Sequence, residues 1–291
     1  MDFLIYVLIP QILHGLVWGM VIALIALGLT IVFGILDVVN FAHGELYMLG
    51  AFFGYSLLSV VPNFWAVLCI AVVAVGLLGI IIEVSMFRPL YGRNPVFHLL
   101  LTFGLGMILR EVARLIWGGL TRTIDAPVTG AVHFLDMVYP TYRLVVLGIS
   151  IVILIAVFYG FNRTETGAII RAASHDKEMA RALGINVTKI YTLVFSLGAA
   201  LAALAGVLMG PIFLVYPTMG MDAILRAFIV VIVGGMGSVV GAVVAAIVIG
   251  EVESLFSLWV SPTWAEILVF GVLILSMILR PGGLFGQTEA K

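Results

Sequence analysis

This sequence predicts an all-α polytopic membrane protein, on three observations. The chain is 63% apolar and only 10% charged, against roughly 25% charged in a soluble domain. Its apolar residues fall in runs of about 20 or more, long enough to cross hydrocarbon as helices. Those runs lack the strict alternation that a membrane barrel requires, and the mean hydropathy is +1.26.

Taken in order, the runs predict about eight apolar helical passes in one transmembrane domain over residues 1–291. Phe3 to Leu36 exceeds one straight span and is expected to hold a tilted helix plus a short break. It lacks a cationic n-region and is too long for a cleaved h-region, so no signal peptide is expected. Leu46 to Phe87 divides at Val61-Pro62-Asn63, because a proline followed by asparagine favours a turn. Val96 to Trp117 is a span, followed by a polar segment carrying Gly118, Gly119, Asp125, Pro127 and Gly130. Leu144 to Phe161 is the next span. After a charged island come Ile190 to Gly210, a loop through Pro211 and Pro217, then Ile224 to Ile249 and Trp264 to Leu279. Cys69, the single cysteine, lies in an apolar run and is expected to be a small core residue with no disulfide role.

The island, Asn162 to Lys189, holds five of the 14 lysines and arginines and three of the 15 acids. A membrane protein that collects charge in one internal loop offers that loop to something in water. Ser174 as N-cap, Asp176 and Glu178 in the first turn, Arg181 near the end and Gly184 as a left-handed terminus follow the order that a short helix prefers. A helix over His175 to Leu183 is expected, with Met179, Ala180 and Leu183 forming a small apolar face for a partner groove.

Orientation follows from the positive-inside tendency. Placing Arg88 and Arg93, the island, and Arg280 with Lys291 on the cytoplasmic side collects nine of the 14 cations. Lys189 and Arg280 then share a side although three apolar stretches separate them, so one stretch must be a hairpin that enters and leaves on one face. Ile224 to Ile249, broken at Gly234-Gly235-Met236-Gly237-Ser238, is the candidate: either a broken or re-entrant pair beside a translocation path, with Gly234, Gly235, Gly237 and Ser238 lining it, or ordinary small-residue packing. Gly198, Ala202, Gly206 and Gly210 form a smooth four-residue ridge for close helix approach, and Gly15, Gly19 and Ala23 repeat it. A faint internal echo relates Gly50-Ala51 to Gly241-Ala242.

A second constellation, Asp37, Asn40, His43 and Glu45, sits between apolar stretches. Ionisable groups at depth are costly and mark paths or buried pairs. Asn40 could cap a helix beginning at Phe41, leaving amide ends toward a passing carboxylate; the alternative is a capped interfacial turn. His43 and Glu45 lack further ligands at metal-binding spacing, and His14 and His98 read as helix-packing or interface histidines rather than ligands. Arg110, Glu111 and Arg114 read as an outer-end charge group, Asp222 and Arg226 as an i, i+4 pair, and Glu251, Glu253 and Glu266 as bordering the outer face.

The run Gly167-Ala168-Ile169-Ile170-Arg171-Ala172-Ala173-Ser174-His175-Asp176-Lys177-Glu178-Met179-Ala180-Arg181-Ala182-Leu183-Gly184-Ile185-Asn186 resembles the cytoplasmic coupling loop of ABC importer permeases of the branched-chain amino acid and ribose group. Gly28-Leu29-Thr30, Val39-Asn40-Phe41-Ala42-His43-Gly44-Glu45, Gly50-Ala51-Phe52, Arg88-Pro89-Leu90-Tyr91-Gly92-Arg93, Thr102-Phe103-Gly104-Leu105 and Val233-Gly234-Gly235-Met236-Gly237-Ser238-Val239-Val240-Gly241 resemble the H-type permease of the high-affinity branched-chain amino acid importer, in the same order along the chain. The resemblance implies a multi-pass bacterial inner-membrane permease that carries leucine, isoleucine and valine. It implies a heterodimer with an M-type permease, two cytoplasmic ABC ATPases that bind the ATP and Mg, a periplasmic binding protein that delivers the solute, lipid around the spans, and no nucleic acid. The coupling loop is then 162–189, contacting the ATPase through Arg171, Ala172, Ala173, His175, Asp176, Lys177, Glu178, Ala180, Arg181 and Gly184. No Gly-x-x-x-x-Gly-Lys-Ser/Thr loop is present, so the chain is expected to bind no nucleotide cofactor and to be no enzyme. Alternative cargoes are urea, short amides and other amino or organic acids. An ion-coupled carrier needs a buried charge relay that is thin here, and an intramembrane enzyme needs a catalytic pair, of which no His-Glu-x-x-His is found.

Overall fold

The computed structural model describes residues 4–134 and 137–286. Continuous hydrophobicity produces one uninterrupted helix, α1 (Ile9–Leu36), entered through a π-helical turn at Leu4–Leu8. The break expected between Phe3 and Leu36 does not occur. Pro10 lies in the first turn, where its missing N–H is harmless, and nothing later removes a backbone donor. Leu24 and Leu27 are fully buried, so α1 is the bundle's core rather than a lipid-facing span.

The remaining elements are α2 (His43–Leu58), α3 (Phe64–Ile82), α4 (Pro95–Trp117), β1 (Ala131–Phe134), β2 (Met137–Pro140), α5 (Thr141–Arg163), α6 (Glu165–His175), α7 (Lys177–Ala182), α8 (Val187–Met209), α9 (Met219–Gly234), α10 (Val239–Phe256) and α11 (Pro262–Leu279). The architecture is the expected all-α membrane bundle. The polar segment after α4 adds a two-stranded antiparallel ribbon with Ala131 opposite Pro140. Asn63 begins α3 by accepting from the N–H groups of Trp65 and Ala66, which explains the division at Pro62-Asn63. Among the described residues six helices are long and apolar enough to cross a membrane alone, with Thr263–Leu279 a shorter apolar helix. These six do not by themselves confirm the expected count of about eight passes; α2 and α9 are shorter apolar helices of 16 residues each.

Arg88, the island and Arg280 gather at one end of the bundle, called inner here. The Arg280–Leu284 turn is tied there, Leu284 N donating to Val233 O at 2.8 Å and Phe285 N to Gly234 O at 3.1 Å. The hairpin that parity demanded is α9 with α10. It enters and leaves at the outer end, but its Gly234–Ser238 turn reaches the inner end, where a Cβ on Gly34 would lie 3.5 Å from Gly237 Cα. The broken helix pair is present, and its break is a terminal turn rather than a re-entrant tip at mid-depth.

The unwound backbone at mid-depth lies elsewhere. α1 runs inward, unwinds through Asp37–Ala42, and α2 starts half-way back; α8 runs outward, unwinds after Met209, and α9 starts half-way back. The depth is set by His43 Nε2, 3.1 Å from Ile25 O near the middle of α1. The two units have opposite sense, as in inverted-repeat transporters, and Val39, Gly44, Ala51 and Phe52 match Val215, Gly220, Ala227 and Phe228 at one constant offset. The echo between Gly50-Ala51 and Gly241-Ala242 joins α2 to α10 instead, which do not occupy corresponding places.

Helices in lipid gain little from hydrophobicity between themselves, so close backbone approach carries association. The ridge on α8 does this: a Cβ on Gly206 would overlap the Tyr47 carbonyl oxygen, and one on Gly198 would stand 3.0 Å from Gly28 O. A Cβ on Gly19 of α1 would lie 2.8 Å from Ala246 O of α10. The faces of α4, α5 and α11 stay open, with Leu115, Val152 and Ile278 exposed. Cys69 is exposed on α3, not in the core; that face of α3 has no helix packed over it.

Candidate functional site

The island folds as two helices rather than one. Thr164 caps α6, its hydroxyl accepting from Gly167 N at 3.0 Å. Asp176, and not Ser174, caps α7: its Oδ1 accepts from Glu178 N and Met179 N, each at 2.9 Å. Ser174 turns back to donate to Arg171 O at 2.9 Å, because Asp176 leaves helical geometry with φ −147° and splits the segment. Gly184 takes the expected left-handed conformation, φ 82°, closing α7.

Burial sorts the loop residues. Ala173 and Ala180 are buried against the bundle, whereas Ala172, His175, Asp176, Glu178 and Arg181 are exposed. Met179 and Leu183 are exposed, so Ala180 is not part of their outward apolar face. Arg171 lies with its guanidinium 5.8 Å from the Phe161 ring and donates to Phe161 O, holding α6 to the end of α5. Lys177 forms an ion pair with Asp37, the residue where α1 ends in a left-handed conformation of φ 53°. The loop is thereby joined directly to the start of the unwound lead into α2.

That lead ends in the second constellation. Asn40, His43 and Glu45 are 1%, 1% and 2% exposed. They are thus buried inside the bundle, with His43 at the level of Ile25 near the middle of α1. The helix starts at His43, not Phe41, and Asn40 Oδ1 accepts from Ala42 N at 3.1 Å while its Nδ2 has no partner. Thr102 of α4 reaches Val39 O at 3.3 Å. Glu45 Oε1 receives Arg110 Nη2 at 2.6 Å and Nε at 3.1 Å. Arg110 is therefore an interior partner, while Glu111 and Arg114 of the same group pair with each other on the surface at 3.0 Å. Glu45 Oε2 stays without a partner, close to the start of α9, where a Cβ on Gly220 would lie 2.6 Å from it. Two helix N-termini, each with a partial positive charge, thus meet around one paired carboxylate. Gly234, Gly235, Gly237 and Ser238 lie apart from this group at the inner end, Ser238 capping α10 through Gly241 N at 3.1 Å.

Two further networks join charges whose pairing the sequence did not show. At the inner end Glu83, fully buried, receives Arg88 Nη2 at 2.9 Å, Tyr91 OH at 2.9 Å and Thr192 Oγ1 at 2.7 Å. This ties α3 to the first turns of α8, just beyond the loop; burial and the Glu83 carboxylate push the Tyr91 phenol well above its ordinary range, keeping it a donor. At the outer end Arg226 does not pair with the Asp222 carboxylate. It bridges Glu253 at 3.3 Å and Glu266 at 2.9 Å, while Asp222 accepts from Tyr216 OH at 2.7 Å. The signals along the chain were Glu83 inside an apolar run, and Arg226 with the acids Glu253 and Glu266 near the outer face. His98 packs between Phe87 and Tyr91, ring centroids 6.3 and 6.1 Å away, as a packing histidine.

A lipid-spanning bundle with paired half-helices at mid-depth and a charged helical loop at one end defines a polytopic transport protein of permease architecture. The model of the family described as branched-chain amino acid transport system / permease component matches residues 11–277, and the chain belongs to that family. It is 31% identical over 302 residues to the high-affinity branched-chain amino acid transport system permease protein BraD of Pseudomonas aeruginosa, covering 99% of this chain and 98% of that one. It is 29% identical to the corresponding permease protein LivH of Escherichia coli, covering 97% of each. Among solved structures, PsaBC from Streptococcus pneumoniae in complex with Fab has a similar fold, with a TM-score of 0.50 at 15% identity over 94% of this chain and 92% of that one.

Proposed function

We propose that this chain is the H-type permease of an ATP-driven importer of leucine, isoleucine and valine in the bacterial inner membrane. Near full-length relatedness to permease proteins of that transport supports the cargo. The observation that carries the mechanism is the Lys177–Asp37 ion pair. Two cytoplasmic ATPases bind and hydrolyse ATP with Mg, and one docks on the exposed face of α6 and α7 through His175, Asp176, Glu178 and Arg181. Movement of α7 pulls on Asp37 and thus on the lead into α2. Rigid helices transmit such displacements by rocking as bodies. The Gly44–Gly220 junction, with Asn40, His43 and Glu45, is the barrier that this displacement opens, and Gly234 to Ser238 border the inner exit. A second, M-type permease completes the path, and a periplasmic binding protein delivers solute at the outer end.

The test is co-purification from the native membrane followed by reconstitution with the recovered subunits in liposomes. ATP-dependent leucine uptake that is lost in Arg181→Glu, with the chain still inserted, is the expected result. Uptake of urea or a short amide in place of leucine would overturn the cargo assignment. Solute movement by this chain alone down an ion gradient would overturn the importer reading.

A further inference from the structure

A cavity of about 610 Å³ opens between α1, α5, α9, α10 and the segment that joins α8 to α9. Tyr47 and Met219 line it, next in the chain to the region where α2 and α9 meet, so it reaches toward the mid-depth junction. Its charged groups are not all neutralised. Arg226 is matched by Glu253 and Glu266. Arg143 and Asp222 both line the cavity, yet among the described residues neither has an oppositely charged partner within 4.0 Å. Arg143 Nη1 instead lies 2.7 Å from His14 Nδ1, which also meets Tyr139 OH at 3.0 Å. Asp222 holds only the Tyr216 hydroxyl on Oδ2.

A guanidinium and a carboxylate that face one cavity without a charged partner are groups that a ligand of complementary charge can answer. The same cavity has an apolar wall of Trp18 and Phe213, ring centroids 5.4 Å apart, with Met209 and Val17. Ligand cavities of about 300–1,000 Å³ combine such walls with a few convergent polar groups. We propose that this cavity binds a zwitterionic α-amino acid with an apolar side chain: its carboxylate on Arg143, its ammonium on Asp222, its side chain against Trp18 and Phe213. The permease then holds its cargo once, above the junction, before passage. This assignment rests on the importer reading for the cargo class, and it adds a binding site within this chain. An arginine is suited to the carboxylate because its planar fork donates two parallel bonds.

The experiment is equilibrium binding of radiolabelled L-leucine to the full chain in lipid nanodiscs, with 4-methylpentanoate and 3-methylbutylamine as competitors lacking the ammonium and the carboxylate. Wild type is expected to bind leucine saturably. Arg143→Gln and Asp222→Asn are each expected to weaken binding tenfold or more. The loss should be selective: Asp222→Asn keeps its affinity for 4-methylpentanoate and Arg143→Gln keeps its affinity for 3-methylbutylamine, a pattern that unfolding cannot produce. Arg143→Lys and Asp222→Glu, which keep the charges, should retain more affinity than the neutral variants. Absence of saturable binding to wild type, or variants that bind leucine as wild type does, would overturn the site. ATP-driven leucine uptake by the whole importer without such binding removes the site and leaves the importer reading intact. Binding that depends on Arg143 and Asp222 without ATP-driven uptake keeps the site and removes the importer reading.

Discussion

Gly44 and Gly220 meet backbone to backbone where α2 and α9 begin. A Cβ on Gly220 would lie 2.6 Å from Gly44 O, and a Cβ on Gly44 would overlap Gly220 O. The contact is reciprocal, so neither position has room for a methyl group.

Gly44→Ala and Gly220→Ala are therefore expected to destabilise the bundle by about 1–3 kcal/mol each, the usual cost of overpacking. Gly104→Ala on α4 and Gly148→Ala on α5, where a Cβ meets nothing within 4 Å, should be near neutral. Thermal unfolding of the purified chain in detergent, followed by loss of monodisperse protein, compares the four. Equal stability of the Gly44 and wild-type chains would show that the junction yields.

Removing the Glu45 side chain leaves Arg110 charged and partly buried. Glu45→Ala is expected to cost about 3–5 kcal/mol, the penalty for breaking a buried pair from one side. Replacing both residues, as Glu45→Gln with Arg110→Met, should recover much of that loss. A double-mutant cycle on unfolding in denaturing detergent measures the coupling, and additive effects would show that the pair contributes little.

Lys177 and Asp37 pair at the surface, where ion pairs are worth about 0–1 kcal/mol. Asp37→Asn should leave thermal stability within that range, yet lower the leucine transported per ATP hydrolysed several-fold. The charge swap Asp37→Lys with Lys177→Asp is expected to restore part of the ratio. Unchanged coupling in Asp37→Asn would release this residue from the transmission route.

Tyr91→Phe removes one of three donors to the Glu83 carboxylate. Hydrogen bonds to charged groups are worth about 1.5–3 kcal/mol, and a loss in that range is expected. Thr192→Val should cost a similar amount. Hydrogen exchange at the first turns of α8 is the local readout, with faster exchange expected in both variants.

Much of this was legible along the chain. The charged island announced a water-facing loop because ionic groups do not persist in hydrocarbon, and Gly184 marked its end because few other residues accept a left-handed φ. The four-residue glycine and alanine ridge on α8 announced close packing, since its spacing keeps those positions on one face. Less legible was the cap of α7. Ser174 and Asp176 are both competent caps, and the choice between them depends on where α6 stops against the end of α5, which no local pattern records.

The sequence by itself determined the membrane class, most of the long apolar helices, and that Arg88, the island and Arg280 share one end with the matching parity of passes after Lys189, because each follows from composition or from periodicity along a single segment. Only the tertiary structure decided that Glu45 takes Arg110, that Lys177 takes Asp37, that Arg226 passes over the Asp222 carboxylate for Glu253 and Glu266, and that α2 and α9 begin at mid-depth. These depend on which distant segments share a depth in the bundle. That depth is set by backbone packing at Gly28, Gly44, Gly198 and Gly220, whose partners lie far away in the chain.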